Sequence, residues 1–339
     1  MIKYPKSLKK GDTIGLTATS SAVNLEKVDK AIDNIEKLGY NIIETESVRN
    51  PNIKCVSNTP EKRAQEFIGL WKNPEVKMII EARGGEFLME TIPYIDEKFK
   101  KENLQNICKW VRGYSDITGL LFYLTTHYNI ATMETDNLSN YAMKPLHESL
   151  IKAFEAVENS ADFIQHNYPF WQSEENKEDK TYQFNLTETS KCKCLQVDEQ
   201  VEFEGRLIGG CLDVISIYRG SRWDNVCNWI EQYKDEGIIW HLENCGYNAA
   251  DVYRLLWEMR EQGWFKYAKG FLIGRTYSAQ DVEDFTYIDA LQKGIGCLGL
   301  PVVFDLDIGH QLPQWTIING AYGKFKFDKG NCTLIQKYI

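Results

Sequence analysis

Ser115 lies in the run Val111-Arg112-Gly113-Tyr114-Ser115-Asp116-Ile117-Thr118, an apolar strand that enters a glycine-containing turn and then a helix. A serine on such a turn presents its hydroxyl at the carboxyl edge of a sheet, and the N–H groups that open the helix can hold an oxyanion. A serine hydroxyl is a poor nucleophile until a base takes its proton. Two later segments carry candidate partners. Ile238-Ile239-Trp240-His241-Leu242-Glu243 and Asp305-Leu306-Asp307-Ile308-Gly309-His310 each place a titratable side chain at or just past the end of an apolar strand. Serine, glutamate and histidine are together the parts of a hydrolase. Each also has a plainer role open to it: Ser115 as a helix N-cap, Asp116 as a first-turn acid, Glu243 as a solvated or paired carboxylate, His310 as a turn residue.

The elements that must position these residues alternate in type through the first half. Thr13-Ile14-Gly15-Leu16-Thr17-Ala18 is β-prone; Asn24 then caps a helix with Leu25, Val28, Ile32, Ile35 and Leu38 at helical spacing, closed by Gly39. Ile42-Ile43 marks a second strand, and Thr59-Pro60 opens a second helix. Strands follow over 76–82, ending in Arg83-Gly84-Gly85, over 107–111, ending at the serine turn, and over 130–133. This alternation predicts a mainly parallel sheet with right-handed crossovers, whose ligands sit at the carboxyl ends of its strands. Gly84, Gly85 and Ser115 all fall there. The polar stretch Glu174-Glu175-Asn176-Lys177-Glu178-Asp179-Lys180 reads as a junction. Beyond it, extended segments are expected over 181–186, 205–208, 237–242, 269–273, 302–304, 315–318 and 323–327, with helices over 249–261 and 282–291. The expected organisation is an N-terminal α/β domain over 1–165, a linker or substrate loop over 166–190, and a C-terminal mixed α/β domain over 191–339.

The net charge of −9 argues against nucleic acid as a partner, because phosphate contacts need clustered Lys and Arg. The opening Met1-Ile2-Lys3-Tyr4-Pro5-Lys6 has no apolar h-region, and no apolar run nears the ~20 residues that span a bilayer. A cytoplasmic protein without membrane partners is therefore expected. The nine cysteines are scattered, and Cys192-Lys193-Cys194 does not have a zinc spacing. With neither a His-x-x-x-His nor a Cys-x-x-Cys pair, no metal and no cofactor are expected. Gly15 to Ser21 lacks the Gly-Lys-Ser/Thr ending of a phosphate-binding P-loop.

Taken in order, these segments resemble the LD-carboxypeptidase family of serine peptidases, including its microcin C self-immunity branch. The likeness runs over nearly the whole chain: Leu8-Lys9-Lys10-Gly11-Asp12-Thr13-Ile14-Gly15, then Arg83-Gly84-Gly85 through Pro93-Tyr94-Ile95-Asp96, then Gly113-Tyr114-Ser115-Asp116-Ile117-Thr118. Leu207-Ile208-Gly209-Gly210, Leu242-Glu243, the stretch ending at Arg275, and Asp307-Ile308-Gly309-His310 with Pro313 and Thr316 follow. The resemblance implies Ser115 as nucleophile, His310 as base and Glu243 as its orienting carboxylate. It implies an oxyanion hole from the backbone N–H groups of Gly85 and Asp116. It further implies two domains with the active site between them, a homodimer, and no metal.

Three departures bear on the substrate. Glu86-Phe87 follows the Gly-Gly turn, Cys211 stands where the microcin branch tends to have Asn, and Glu134-Thr135-Asp136-Asn137 replaces a usual Gly-Pro. Trp171 falls about where that branch carries a tryptophan that stacks on a base. Gly84, Glu86, Trp171 and Cys211 are the expected substrate contacts. The resemblance admits a peptidyl- or aminoacyl-nucleotide amide of the microcin C type, or the LD-peptide bond of murein tetrapeptides in cell-wall recycling. A non-catalytic ligand-binding protein on the same scaffold is the alternative of another class.

Overall fold

The computed structural model describes residues 1–159, 162–196, 200–276 and 279–338. The chain divides into two compact units, 1–160 with 176–183, and 161–175 with 184–339. Both are mixed α/β.

In the first unit, β1 (Thr13–Thr17), β2 (Asn41–Glu44), β3 (Val76–Glu81), β4 (Trp110–Gly113) and β5 (Thr132–Glu134) alternate with α1 (Leu25–Lys37), α2 (Pro60–Lys72), α3 (Ile92–Lys101) and α4 (Thr118–Tyr128); α5 (Glu148–Glu158) follows. The strands lie in the order β5-β4-β3-β1-β2, and each neighbouring pair is parallel. Ile14, Leu16, Ile79, Ile80 and Val111 are fully buried, as strands covered on both faces require. The local signals act as expected. Asn24 accepts from the Glu26 N–H at 2.9 Å, Gly39 takes a φ of 96°, and the Thr59 side chain accepts from the Lys62 N–H ahead of Pro60.

The second unit opens with β6 (Phe163–His166), β7 (Phe170–Trp171), β8 (Glu188–Thr189) and β9 (Lys193–Cys194). Next come β10 (Gln200–Cys211), α6 (Leu212–Ile215), α7 (Val226–Gln232), β11 (Ile238–Glu243), α8 (Ala249–Glu261), β12 (Ala268–Gly274), α9 (Tyr287–Gly294) and β13 (Val302–Leu306). β14 (Ile317–Asn319), β15 (Tyr322–Asp328) and β16 (Asn331–Lys337) complete it. Its eight-stranded sheet has the order β6-β16-β15-β10-β11-β12-β13-β9. The run β10 to β13 is parallel and the flanking pairs are antiparallel.

Two expected elements differ. Residues 181–186 form no strand: Tyr182 adopts a φ of 57°, which breaks an extended run, and its ring lies under the ammonium groups of Lys27 and Lys30. The helix expected over 282–291 begins only at Tyr287. Val282 and Phe285 form a β-bridge, and Thr286 with Asp289 makes a capping box that starts the helix there. Among the described residues, no helix is long and apolar enough to cross a membrane. All nine cysteines are free thiols.

Candidate active site

The turn that carries Ser115 is strained. β4 ends at Gly113, Tyr114 is extended, and Ser115 takes a φ of 66° before a 3₁₀ turn (Ser115–Ile117) feeds α4. A left-handed serine between strand and helix is the geometry of a nucleophile elbow. Bare backbone is needed beside it. A Cβ on Gly84 would lie 2.7 Å from Cβ and 2.9 Å from Oγ of Ser115, and one on Gly113 would lie 2.6 Å from Ile117 Cγ2.

The last residue of β5 and those just after it hold this turn from the side. Asn137 Oδ1 accepts from the Tyr114 N–H at 3.2 Å, and its Nδ2 donates to the Tyr114 carbonyl at 3.4 Å. Thr118 Oγ1 donates to Glu134 Oε1 at 2.6 Å. In the sequence, 134–137 stand out only as a departure from the family pattern. The available signal is a run of polar residues directly after a buried strand, which has to satisfy its hydrogen bonds internally.

Asp116 is buried; its Oδ2 accepts from Ser20 Oγ at 2.5 Å and from the Leu88 N–H at 2.8 Å. Burial raises its pKa; the two hydrogen bonds and Arg63 pull against that, while the exposed Glu86 adds to the rise. Gly85 packs directly on Ser20 and Ser21, whose hydroxyls occupy the place a Cβ would take. Gly84, Gly85, Ser115 and Asp116 are thus gathered at the carboxyl ends of β3 and β4.

In the second unit, the structure brings Glu243 and His310 together. Glu243 ends β11, and His310 lies in the turn after β13. His310 Nδ1 lies 2.9 Å from Glu243 Oε1, with the glutamate 3% and the histidine 19% exposed. A carboxylate only accepts, so Nδ1 carries the proton in this bond and Nε2 is left as the basic nitrogen. Gly274 and Gly309 both lie against Glu243: a Cβ on Gly274 would lie 2.9 Å from Glu243 Cβ, and one on Gly309 would overlap the Glu243 side chain.

Cys211 is buried opposite Glu243 in the β10–β11 register. Burial, reinforced by the Glu243 charge, pushes its thiol well above the usual range. Asp213 accepts from the N–H groups of Cys245 at 2.9 Å and Gly246 at 2.7 Å, which shapes the loop leaving Glu243. The ring of Trp171 lies under the Arg275 guanidinium, 5.2 Å from its centroid. Arg275 is in turn paired with buried Asp307 at 2.5 Å, and Asp307 Oδ2 accepts from the Tyr168 N–H at 2.8 Å. The aromatic segment before the junction is therefore tied to the turn that carries His310, through Arg275 and Asp307, which the sequence marks only as parts of longer motifs. His241 turns away into the core: its Nε2 meets Asn319 Oδ1 at 2.8 Å, and burial lowers its pKa to about 4.

The serine elbow with its paired glycines belongs to the first unit, and the histidine–glutamate pair belongs to the second. Residues 14–135 match the LD-carboxypeptidase N-terminal domain and residues 204–325 the LD-carboxypeptidase C-terminal domain. The chain belongs to the LD-carboxypeptidase family.

Among curated relatives, it is 23% identical over 346 residues to the Microcin C7 self-immunity protein MccF of Escherichia coli, covering 97% of this chain and 94% of that protein. It is 22% identical over 321 residues to the "Probable murein peptide carboxypeptidase" of Bacillus subtilis, covering 94% and 89%. The fold matches the crystal structure of an MccF-like protein from Bacillus anthracis with a TM-score of 0.84, at 19% identity, over 99% of this chain and 100% of that one. It matches MccF in complex with glutamyl sulfamoyl guanosine with a TM-score of 0.80, at 21% identity, over 99% of each chain.

Proposed function

We propose that the chain is a serine hydrolase that cleaves a peptidyl- or aminoacyl-nucleotide amide of the microcin C type. Ser115 attacks the carbonyl while His310 Nε2 takes its proton, and Glu243 holds the imidazole and stabilises the imidazolium that forms. The backbone N–H groups of Gly85 and Asp116 receive the oxyanion, each donor being worth about 3–4 kcal/mol of barrier when it is removed. His310 then returns the proton to the leaving amine, and water releases the acyl group by the same route. The observation that supports the reading is the part-buried 2.9 Å contact between His310 Nδ1 and Glu243 Oε1, in which the carboxylate accepts from Nδ1 and Nε2 can act as the base.

The substrate class rests on likeness to MccF, whose structure holds an aminoacyl sulfamoyl nucleoside, and on Trp171, whose ring Arg275 steadies. The murein carboxypeptidase among the relatives supports a second reading, the LD-peptide bond of murein tetrapeptides. Nine free thiols suit a reducing compartment, and the proposed setting is the cytoplasm, with the protein working as a homodimer.

The test is hydrolysis followed by mass spectrometry. The protein and its Ser115→Ala variant each meet an aminoacyl sulfamoyl-adenosine and an LD-linked muropeptide. Cleavage of the nucleotide analogue alone, lost in the variant, is the expected result. Cleavage of the muropeptide alone moves the chain to cell-wall recycling. If the wild type cuts neither yet binds one of them, the scaffold is a binding protein and the hydrolase reading falls.

A further inference from the structure

The two backbone donors assigned to the oxyanion come from separate segments, the turn after β3 and the turn after β4. An oxyanion hole works only if its donors are held to within a fraction of an ångström, so something must fix one segment against the other. The side chains around Asp116 do this through one residue that belongs to neither segment.

Ser20 lies in the loop after β1 and is fully buried. Its Oγ donates to Asp116 Oδ2 at 2.5 Å, within the range of a charge-assisted O–H···O⁻ bond. The same oxygen takes the Leu88 N–H at 2.8 Å, three residues beyond Gly85. On its other side the Ser20 hydroxyl, together with that of Ser21, fills the space where a Cβ on Gly85 would stand. Ser20 is thus a spacer between the Asp116 carboxylate and the Gly85 backbone.

The spacer is itself held. The Thr19 N–H donates to buried Glu81 Oε2 at 2.9 Å. The Thr19 carbonyl accepts from Arg63 Nη1 at 2.8 Å and from Thr91 Oγ1 at 3.2 Å. Arg63 is fully buried and also donates to the Phe87 carbonyl at 3.2 Å, in the segment that follows the Gly-Gly turn. With both backbone polar groups of the preceding residue bonded inside the unit, the Ser20 hydroxyl cannot drift without breaking several buried hydrogen bonds.

We propose that Ser20 is a positioning residue for the oxyanion hole, acting through the Asp116 carboxylate to hold the Gly85 and Asp116 N–H groups at a fixed separation. The role rests on the serine hydrolase reading. Ser20 makes and breaks no bond in the reaction, so its removal slows acylation and leaves initial binding alone.

The experiment follows modification of Ser115 by a fluorophosphonate, in which the serine oxygen bonds to phosphorus, fluoride leaves, and the P=O oxygen occupies the oxyanion position. The rate constant at saturation and the binding constant are measured separately for wild type, Ser20→Ala and Ser20→Thr, with thermal unfolding of each. Ser20→Ala is expected to lower the saturating rate at least tenfold, with the binding constant within about twofold and unfolding cooperative. Ser20→Thr, which keeps the hydroxyl, is expected to return most of the rate. An unchanged saturating rate in Ser20→Ala, an effect confined to the binding constant, or no recovery in Ser20→Thr would overturn the proposal. Absence of labelling at Ser115 in the wild type would overturn the hydrolase reading instead, and this role with it.

Discussion

Gly309 presses bare backbone against Glu243: at its φ of 90°, an added Cβ would overlap the Glu243 side chain. The contact fixes the carboxylate from the side of the chain that also carries His310, one residue further on. Glycine serves twice here, by tolerating the left-handed backbone and by leaving room for the carboxylate.

Gly309→Ala should therefore act on both stability and chemistry. The left-handed backbone and the overlap together should cost about 1–3 kcal/mol, read as a lower Tm. Displacement of Glu243 should lower the rate of fluorophosphonate labelling at Ser115 at least tenfold. Wild-type labelling in this variant would argue that Glu243 does not orient the base.

At the serine turn, the corresponding contact is Gly84 against Ser115. A Cβ on Gly84 would lie 2.9 Å from the hydroxyl, so Gly84→Ala must push Ser115 off its position. A loss of labelling on the order of a hundredfold is expected, with cooperative unfolding retained, since the collision is with one side chain. Mass spectrometry of the intact protein after timed exposure gives the rate.

Glu81 offers a test by pH. Its carboxyl is buried, and burial lifts its pKa from 4.5 to about 8 against the pull of the Thr19 N–H and Arg63. The folded state then holds a proton that the unfolded chain has released. Stability from this group is fully present below pH 4.5 and is lost as pH rises through about 8. Glu81→Gln cannot release a proton and can still accept from Thr19. Its Tm relative to wild type should climb by at least about 2 °C between pH 5 and pH 9, measured by calorimetry. A flat difference across that range would show that Glu81 ionises normally.

Cys211 should stay unreactive. It is buried, with its thiol held protonated by burial and the neighbouring Glu243 charge, whereas Cys55, Cys227 and Cys297 are exposed. Iodoacetamide at pH 8 should label those three in the folded protein and leave Cys211 unmodified until denaturant is added. Peptide mapping reads this directly. Fast labelling of Cys211 in the native protein would show that its thiol is accessible and ionises far more readily than its burial implies.

The sequence by itself determined the features that are written locally. The alternation of strands and helices, the Asn24 and Thr59 caps, the Gly-Gly turn after β3 and the serine turn after β4 are all short-range patterns in which backbone preference and hydrophobic period agree. Glu243 and His310 were legible for the same reason, since each stands at or just beyond the end of an apolar strand. Residues 181–186 misled because alternation of apolar residues does not register a left-handed Tyr182. Only the tertiary structure decided which side chains meet. Glu243 and His310 are 67 residues apart, Ser20 and Asp116 are 96 apart, and Arg275 reaches Trp171 and Asp307 from just past the end of β12. Those meetings depend on strand order and on the register that sets Cys211 opposite Glu243. Register is a property of paired strands, and in parallel strands buried on both faces the near-continuous apolar run of one does not say which residue of the other it faces.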